Sequence, residues 1–148
     1  MRHIITAIAL ATLASGAYAQ TAQTAQTSPA GLWRNIDDHT GQAKAEIRIE
    51  ERDGALFGHI EKTLAKDAKT TCEACTDERK NAPIAGLEII RGVRKTQDAE
   101  VWEDGKILDP ESGKEYRTRL TLIDGGKKLQ VRGYLGPFWR NQTWIRLQ

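Results

Sequence analysis

The sequence predicts an all-β protein, a single antiparallel barrel of about eight strands. Three observations carry that prediction. Apolar and polar residues alternate with period two in short runs, turn residues separate the runs, and no stretch after the N-terminal segment keeps a helical period. Short strands joined in sequence order favour an antiparallel meander closed on itself.

The N-terminus is set aside first. Arg2 and His3 precede the apolar run Ile4 to Leu13, and Ala17-Tyr18-Ala19 follows, the order of a secretory signal peptide cleaved after Ala19. A membrane-spanning helix needs roughly 20 apolar residues, and this run ends at Ser15-Gly16. Gln20 stands where a lipoprotein would carry Cys, so residues 1–19 are expected to leave a soluble periplasmic or secreted product with no membrane span. Residues 20–29 repeat Thr-Ala-Gln without charge or large apolar side chains, which reads as a flexible leader. Residues 30–148 then form one domain.

Leu32 to Ile36 supplies the first strand. In Lys44 to Glu51, Ala45, Ile47 and Ile49 share one face while charges take the other. Asp53-Gly54 is a strong two-residue hairpin signal, and the return strand through Leu56, Gly58 and Ile60 completes a hairpin over about residues 44–62. Leu87 to Arg94, Val101 to Leu108, Glu115 to Ile123, Leu129 to Leu135 and Gln142 to Leu147 continue the rhythm. Asp109 to Gly113 suits a type I turn ending on a positive-φ glycine, and Asp124-Gly125-Gly126 is another tight reversal. Lys62 to Pro83 breaks the pattern. It is polar, Lys-rich and long for a connection in a compact domain, which suits either a functional lid or a tether.

Both cysteines lie in that loop, as Cys72-Glu73-Ala74-Cys75. In an exported protein the compartment favours a disulfide, with a redox-active pair and a zinc site as alternatives. Zinc would need two further ligands, and only His39 and His59 remain after cleavage. No metal and no cofactor is therefore expected.

The chain carries 22 Lys and Arg against 20 Asp and Glu, and loss of Arg2 with the signal leaves a net charge of +1. Such a balance gives no basis for nucleic-acid binding. Arg91, Arg94, Lys95, Arg117, Arg119, Lys127 and Lys128 are interspersed with acids and fall mostly on alternate strand positions, as on a solvated sheet face. Catalysis by a nucleophilic serine is not expected either, because the mature chain holds only Ser28 in the leader and Ser112 in a turn. A binder is expected rather than an enzyme.

The aromatic residues say more. Trp33, Trp102, Trp139 and Trp144 with Tyr116, Tyr134 and Phe138 supply most of the large apolar surface, and they suit either the core or the rim of a pocket. Gly31-Leu32-Trp33 at the first strand and Arg146 near the end of the last resemble the Gly-x-Trp and terminal Arg of lipocalins and related calycin barrels. The resemblance implies structural roles for Gly31, Trp33 and Arg146, with the guanidinium packed across the indole at the closed end.

A wider set resembles the bacterial exported family catalogued as domain of unknown function 2147. It comprises Gly31-x-Trp33, Cys72-x-x-Cys75, Pro83-Ile84-x-Gly86-Leu87, Gly105 to Pro110, Gly113-Lys114-x-Tyr116, Arg132 to Gly136 and Arg140-x-x-x-Trp144-x-Arg146. That resemblance implies a small calycin-like barrel and brings no assigned ligand or activity. The chain departs from the pattern at Pro137-Phe138-Trp139, which is shorter than usual.

The expected function is capture of a small apolar or amphipathic ligand at the barrel end near the Lys62 to Pro83 loop, with Arg132, Tyr134, Phe138 and Trp139 as contacts. The alternative is an envelope interaction module, an inhibitor or assembly factor, that presents Tyr134 to Trp139 to a protein partner over a filled barrel. An internal cavity favours the first; an exposed aromatic patch over a solid core favours the second.

Overall fold

The computed structural model describes residues 27–148, so the signal peptide and most of the leader lie outside the described residues. Eight strands run in chain order: β1 (Gly31–Ile36), β2 (Ala43–Arg52), β3 (Ala55–Thr63), β4 (Glu88–Lys95), β5 (Val101–Asp109), β6 (Lys114–Ile123), β7 (Lys128–Leu135) and β8 (Phe138–Arg146). Each pairs antiparallel with the next, and β1 pairs with β8 to close the barrel.

The turns follow local chemistry. Asp53 and Gly54 both take positive φ, 51° and 71°, the requirement of a type I′ hairpin. At the β5–β6 reversal the Gly113 amide donates to the Asp109 carbonyl at 2.8 Å, and Ser112 Oγ donates to the Asp109 carboxylate at 2.7 Å. The last hairpin differs from the sequence expectation. Strand β8 begins at Phe138 rather than Gln142, so the β7–β8 turn is only Gly136-Pro137 and Phe138 and Trp139 are paired strand residues. Their exposure removes the buried alternation by which sequence reading recognises a strand.

Alternation puts Trp33, Ile47, Ile49, Leu56, Ile90, Val93, Leu120, Leu122, Leu129 and Trp144 inside, each no more than 1% exposed. Two hollows stand out among the described residues, and both open on the surface. The smaller, about 210 Å³, lies between Ser28, Glu51, Leu56, Lys95 and Trp102. The inward-facing apolar side chains form one buried cluster.

The barrel closes around Arg146. Its guanidinium carbon lies 4.1 Å from the centroid of the Trp33 ring, and its nitrogens donate to the carbonyls of Gly126 (2.6 Å), Ala30 (2.9 Å) and Ser28 (2.7 Å). Trp33 Nε1 donates to the Pro29 carbonyl at 2.7 Å. Ser28 and buried Pro29, assigned from sequence to the leader, are therefore tied to the barrel base. Gly31 (φ 140°) fits because a Cβ there would stand 2.4 Å from the Gln148 carbonyl oxygen.

The connection over residues 64–87 is fastened down. Cys72 and Cys75 form a disulfide, both buried, and Thr71 bridges to Pro83. Arg79, only 4% exposed, donates to Asp77, to Glu115 on β6 (2.9 Å) and to the Glu88 carbonyl on β4 (3.0 Å). The Arg79 side chain holds the Asp77 carboxyl down to about 2. That tie is complete above the ordinary carboxyl range and weakens as pH falls through about 2. Replacing both cysteines by Ala is expected to cost about 2 kcal/mol, since so small a closed loop constrains the unfolded chain little. Far-UV circular dichroism should keep the β spectrum, and its collapse would contradict a barrel that stands without the disulfide.

Candidate binding face on strands β5 to β8

Because Leu120, Leu122, Leu129 and Val131 point inward, the residues between them point out, and register brings distant side chains into rows. One row runs Lys106, Arg117, Tyr134, Trp139 across four strands. The next runs Arg119, Arg132, Asn141. Three of the four expected contacts, Arg132, Tyr134 and Trp139, therefore share one face, and that face is the barrel's exterior. Phe138 alternates to the other side of the hairpin, opposite Leu135.

The electrostatics of this face are unbalanced. Arg119 and Arg132 stand directly opposite each other, a like-charge pairing that costs stability in a sheet. Glu103 offsets one of them: Arg119 Nε donates to Glu103 Oε2 at 2.8 Å, a bond that raises the Arg119 pKa further. Arg132 Nε donates instead to the neutral Asn141 Oδ1 at 2.7 Å. Among the described residues, neither Arg132 nor Arg117 has a carboxylate in ion-pair reach. Both instead flank Tyr134, with guanidinium carbons 5.5 Å (Arg117) and 6.0 Å (Arg132) from the ring centroid, and Arg132 lies 5.7 Å from the Trp139 ring.

A groove of about 410 Å³ runs along this face, lined by Glu103, Asp104, Arg117, Thr118, Arg119 and Tyr134. Beyond it the hairpin tip carries Leu135, Phe138 and Trp139, which are 58%, 74% and 61% exposed. Guanidinium groups without a carboxylate can close paired, charge-assisted hydrogen bonds on a carboxylate or phosphate, and the aromatic surface beside them can hold an apolar tail. Sequence reading missed Glu103, Asp104, Arg117 and Arg119, taking the two arginines as solvated-face residues. Only cross-strand register sets them beside Tyr134.

The cation–π contacts elsewhere belong to the frame, as with Lys95 over Trp102 at 4.3 Å. Among the described residues no three His, Cys, Asp or Glu side chains group as a metal site requires, and no helix is long and apolar enough to cross a membrane.

Comparison with known proteins supports the architecture. The chain is similar in structure to protein HP1028 from the human pathogen Helicobacter pylori, which is described as belonging to the lipocalin family. The TM-score is 0.71 at 15% identity over 83% of this chain and 85% of that one. A redesigned β-barrel aligns at TM-score 0.47 and 15% identity over 80% of this chain and 90% of its own. No curated protein matches the sequence. The barrel is lipocalin-like, as Gly31, Trp33 and Arg146 led the sequence reading to expect. Residues 31–146 match the family described as "Uncharacterized protein conserved in bacteria (DUF2147)", and the chain belongs to that family.

Proposed function

We propose that this protein is an exported, non-enzymatic binder that captures a small amphipathic ligand with an anionic head on the outer face of β5 to β8. One observation carries the reading: Arg117 and Arg132, without carboxylate partners among the described residues, flank Tyr134 between a groove and an exposed apolar tip. The groove's volume falls within the range of about 300–1,000 Å³ usual for small-molecule sites. The head pairs with the two guanidinium groups, and the tail lies along Tyr134 and Trp139. The buried disulfide suits an oxidising compartment such as the periplasm.

Dodecyl phosphate below its micelle threshold is the probe. Trp33, Trp102 and Trp144 are buried and Trp139 is exposed, so a saturable change in tryptophan fluorescence is expected to come from Trp139. Replacing Arg117 and Arg132 together by Ala should weaken binding by about tenfold or more, since hydrogen bonds to charged groups contribute about 1.5–3 kcal/mol each. The probe should be recovered unmodified. An equal response from the double variant, or none from the native protein, contradicts the proposal.

The exposed Leu135, Phe138 and Trp139 favour a second reading, a protein partner docked on the same hairpin. Absence of binding by any amphiphile would leave that reading in possession of the face.

A further inference from the structure

The groove holds a feature that an anionic head does not use. Asp104 has φ 67°, a left-handed conformation that favours glycine and that Asp and Asn adopt more readily than other side chains, in the irregular part of β5 where the pairing with β6 shifts between Trp102 and Gly105. The next residue has no room for a side chain: a Cβ at Gly105 would lie 2.5 Å from the Arg91 carbonyl oxygen and 2.6 Å from the Val93 nitrogen, so β5 presses against β4 there. Asp104 is exposed and, among the described residues, has no hydrogen-bond or ion-pair partner, whereas Glu103 is committed to Arg119. A glycine would relieve the backbone at this position. Instead the position holds a free carboxylate on the same groove as the free Arg117 guanidinium, and no ion pair joins the two.

We infer that the ligand's head is zwitterionic, carrying an ammonium group held by Asp104 together with the anionic group held by Arg117. The inference rests on the proposed function and narrows its ligand class. A head that carries one anionic oxygen group and one ammonium is a phosphoethanolamine lipid head or an amino-acid head bearing an acyl tail.

Three probes separate the possibilities: myristoyl lysophosphatidylethanolamine, its N-acetyl derivative, which lacks only the positive charge, and Nε-lauroyl-lysine. The N-acetyl derivative is expected to bind the native protein about tenfold more weakly than its parent, as loss of one charge-assisted hydrogen bond implies. Asp104→Asn should erase that difference, while Arg117→Gln should weaken both. Stronger binding of Nε-lauroyl-lysine than of the lysophospholipid would assign the head to the amino-acid class, and the reverse to the phospholipid class.

Asp104→Gly separates binding from folding. It should melt at the native temperature or above, because glycine accepts φ 67° freely, yet lose the discrimination between capped and uncapped heads. Equal binding of the two heads by the native protein overturns the inference while leaving the anionic site standing. Failure of every probe, dodecyl phosphate included, overturns the anionic site and the inference with it.

Discussion

Arg146→Ala is expected to lower stability by about 4 kcal/mol, read as a shift of the urea midpoint, which is near the top of the range for single substitutions. The desolvated cation–π contact with Trp33 contributes about 2 kcal/mol of this. The remainder comes from the carbonyls of Ser28, Ala30 and Gly126, three acceptors on two chain segments that lose their shared charged donor. Burial pushes the guanidinium pKa down from its usual value, but an arginine so far above neutrality stays charged. Arg146→Lys should recover at most about half, because an ammonium cannot stack flat on the indole while donating in three directions. Affinity for dodecyl phosphate should be unchanged, since Arg146 is at the opposite end of β8 from Trp139. A loss below about 1 kcal/mol would show that the β1–β8 seam does not depend on this clasp.

Gly113→Ala is expected to cost about 3 kcal/mol and to loosen the Cys72–Cys75 loop. Two effects add. Gly113 has φ 70°, where an L side chain costs roughly 1 kcal/mol, and its Cβ would fall 1.9 Å from the Ala74 carbonyl oxygen, which only movement of the loop can relieve. Gly125→Ala is the control: its φ is 61°, but nothing lies within 4 Å of the added atom, so only the backbone cost of about 1 kcal/mol applies. The displaced loop should also expose the disulfide, seen as faster reduction by a small thiol. Equal stability of the two variants would contradict the packing of the loop on the β5–β6 turn.

The parts of the fold legible in the sequence are those where a local rule coincides with the global one. Ala45, Ile47 and Ile49 alternate because one face of β2 is buried, and Asp53-Gly54 turns because both residues tolerate positive φ. Trp33 and Arg146 could be paired from a distance only through resemblance, since nothing local in either residue indicates the other.

Where local pattern and tertiary role part, sequence reading fell short. Phe138 and Trp139 are strand residues without a core face, so alternation could not reveal them. Ser28 and Pro29 sit in a polar, low-complexity run, yet Arg146 and Trp33 hold them in place. The long loop is polar in composition, but Cys72, Cys75, Ile84 and Leu87 bury enough surface to join the core.

The candidate face shows the same divide. Arg132 and Tyr134 read from sequence as sharing the strand face opposite Leu129's, and the inward turn of Leu129 and Val131 sets that face, with Trp139 across from Tyr134, outside the barrel. Arg117 and Arg119 reach Tyr134 and Arg132 through the β6–β7 register, fixed by the Asp124 to Lys127 turn. A shift of one residue would have sent the arginines inward. Asp104 could not be singled out at all, because only the folded chain sets it on the same groove as Arg117.

The proposed binding on the outer face of β5 to β8, and not inside the barrel, has a direct spectroscopic signature. Chemical-shift mapping of the indole N–H groups and backbone amides during titration with dodecyl phosphate tests it most directly. Saturable shifts are expected at the Trp139 indole and at the amides of Asp104, Arg117, Arg132 and Tyr134, with the indoles of Trp33 and Trp144 unmoved. Shifts centred on Trp144, Leu120 and Leu129, with Trp139 unchanged, would place the ligand in the interior and contradict it.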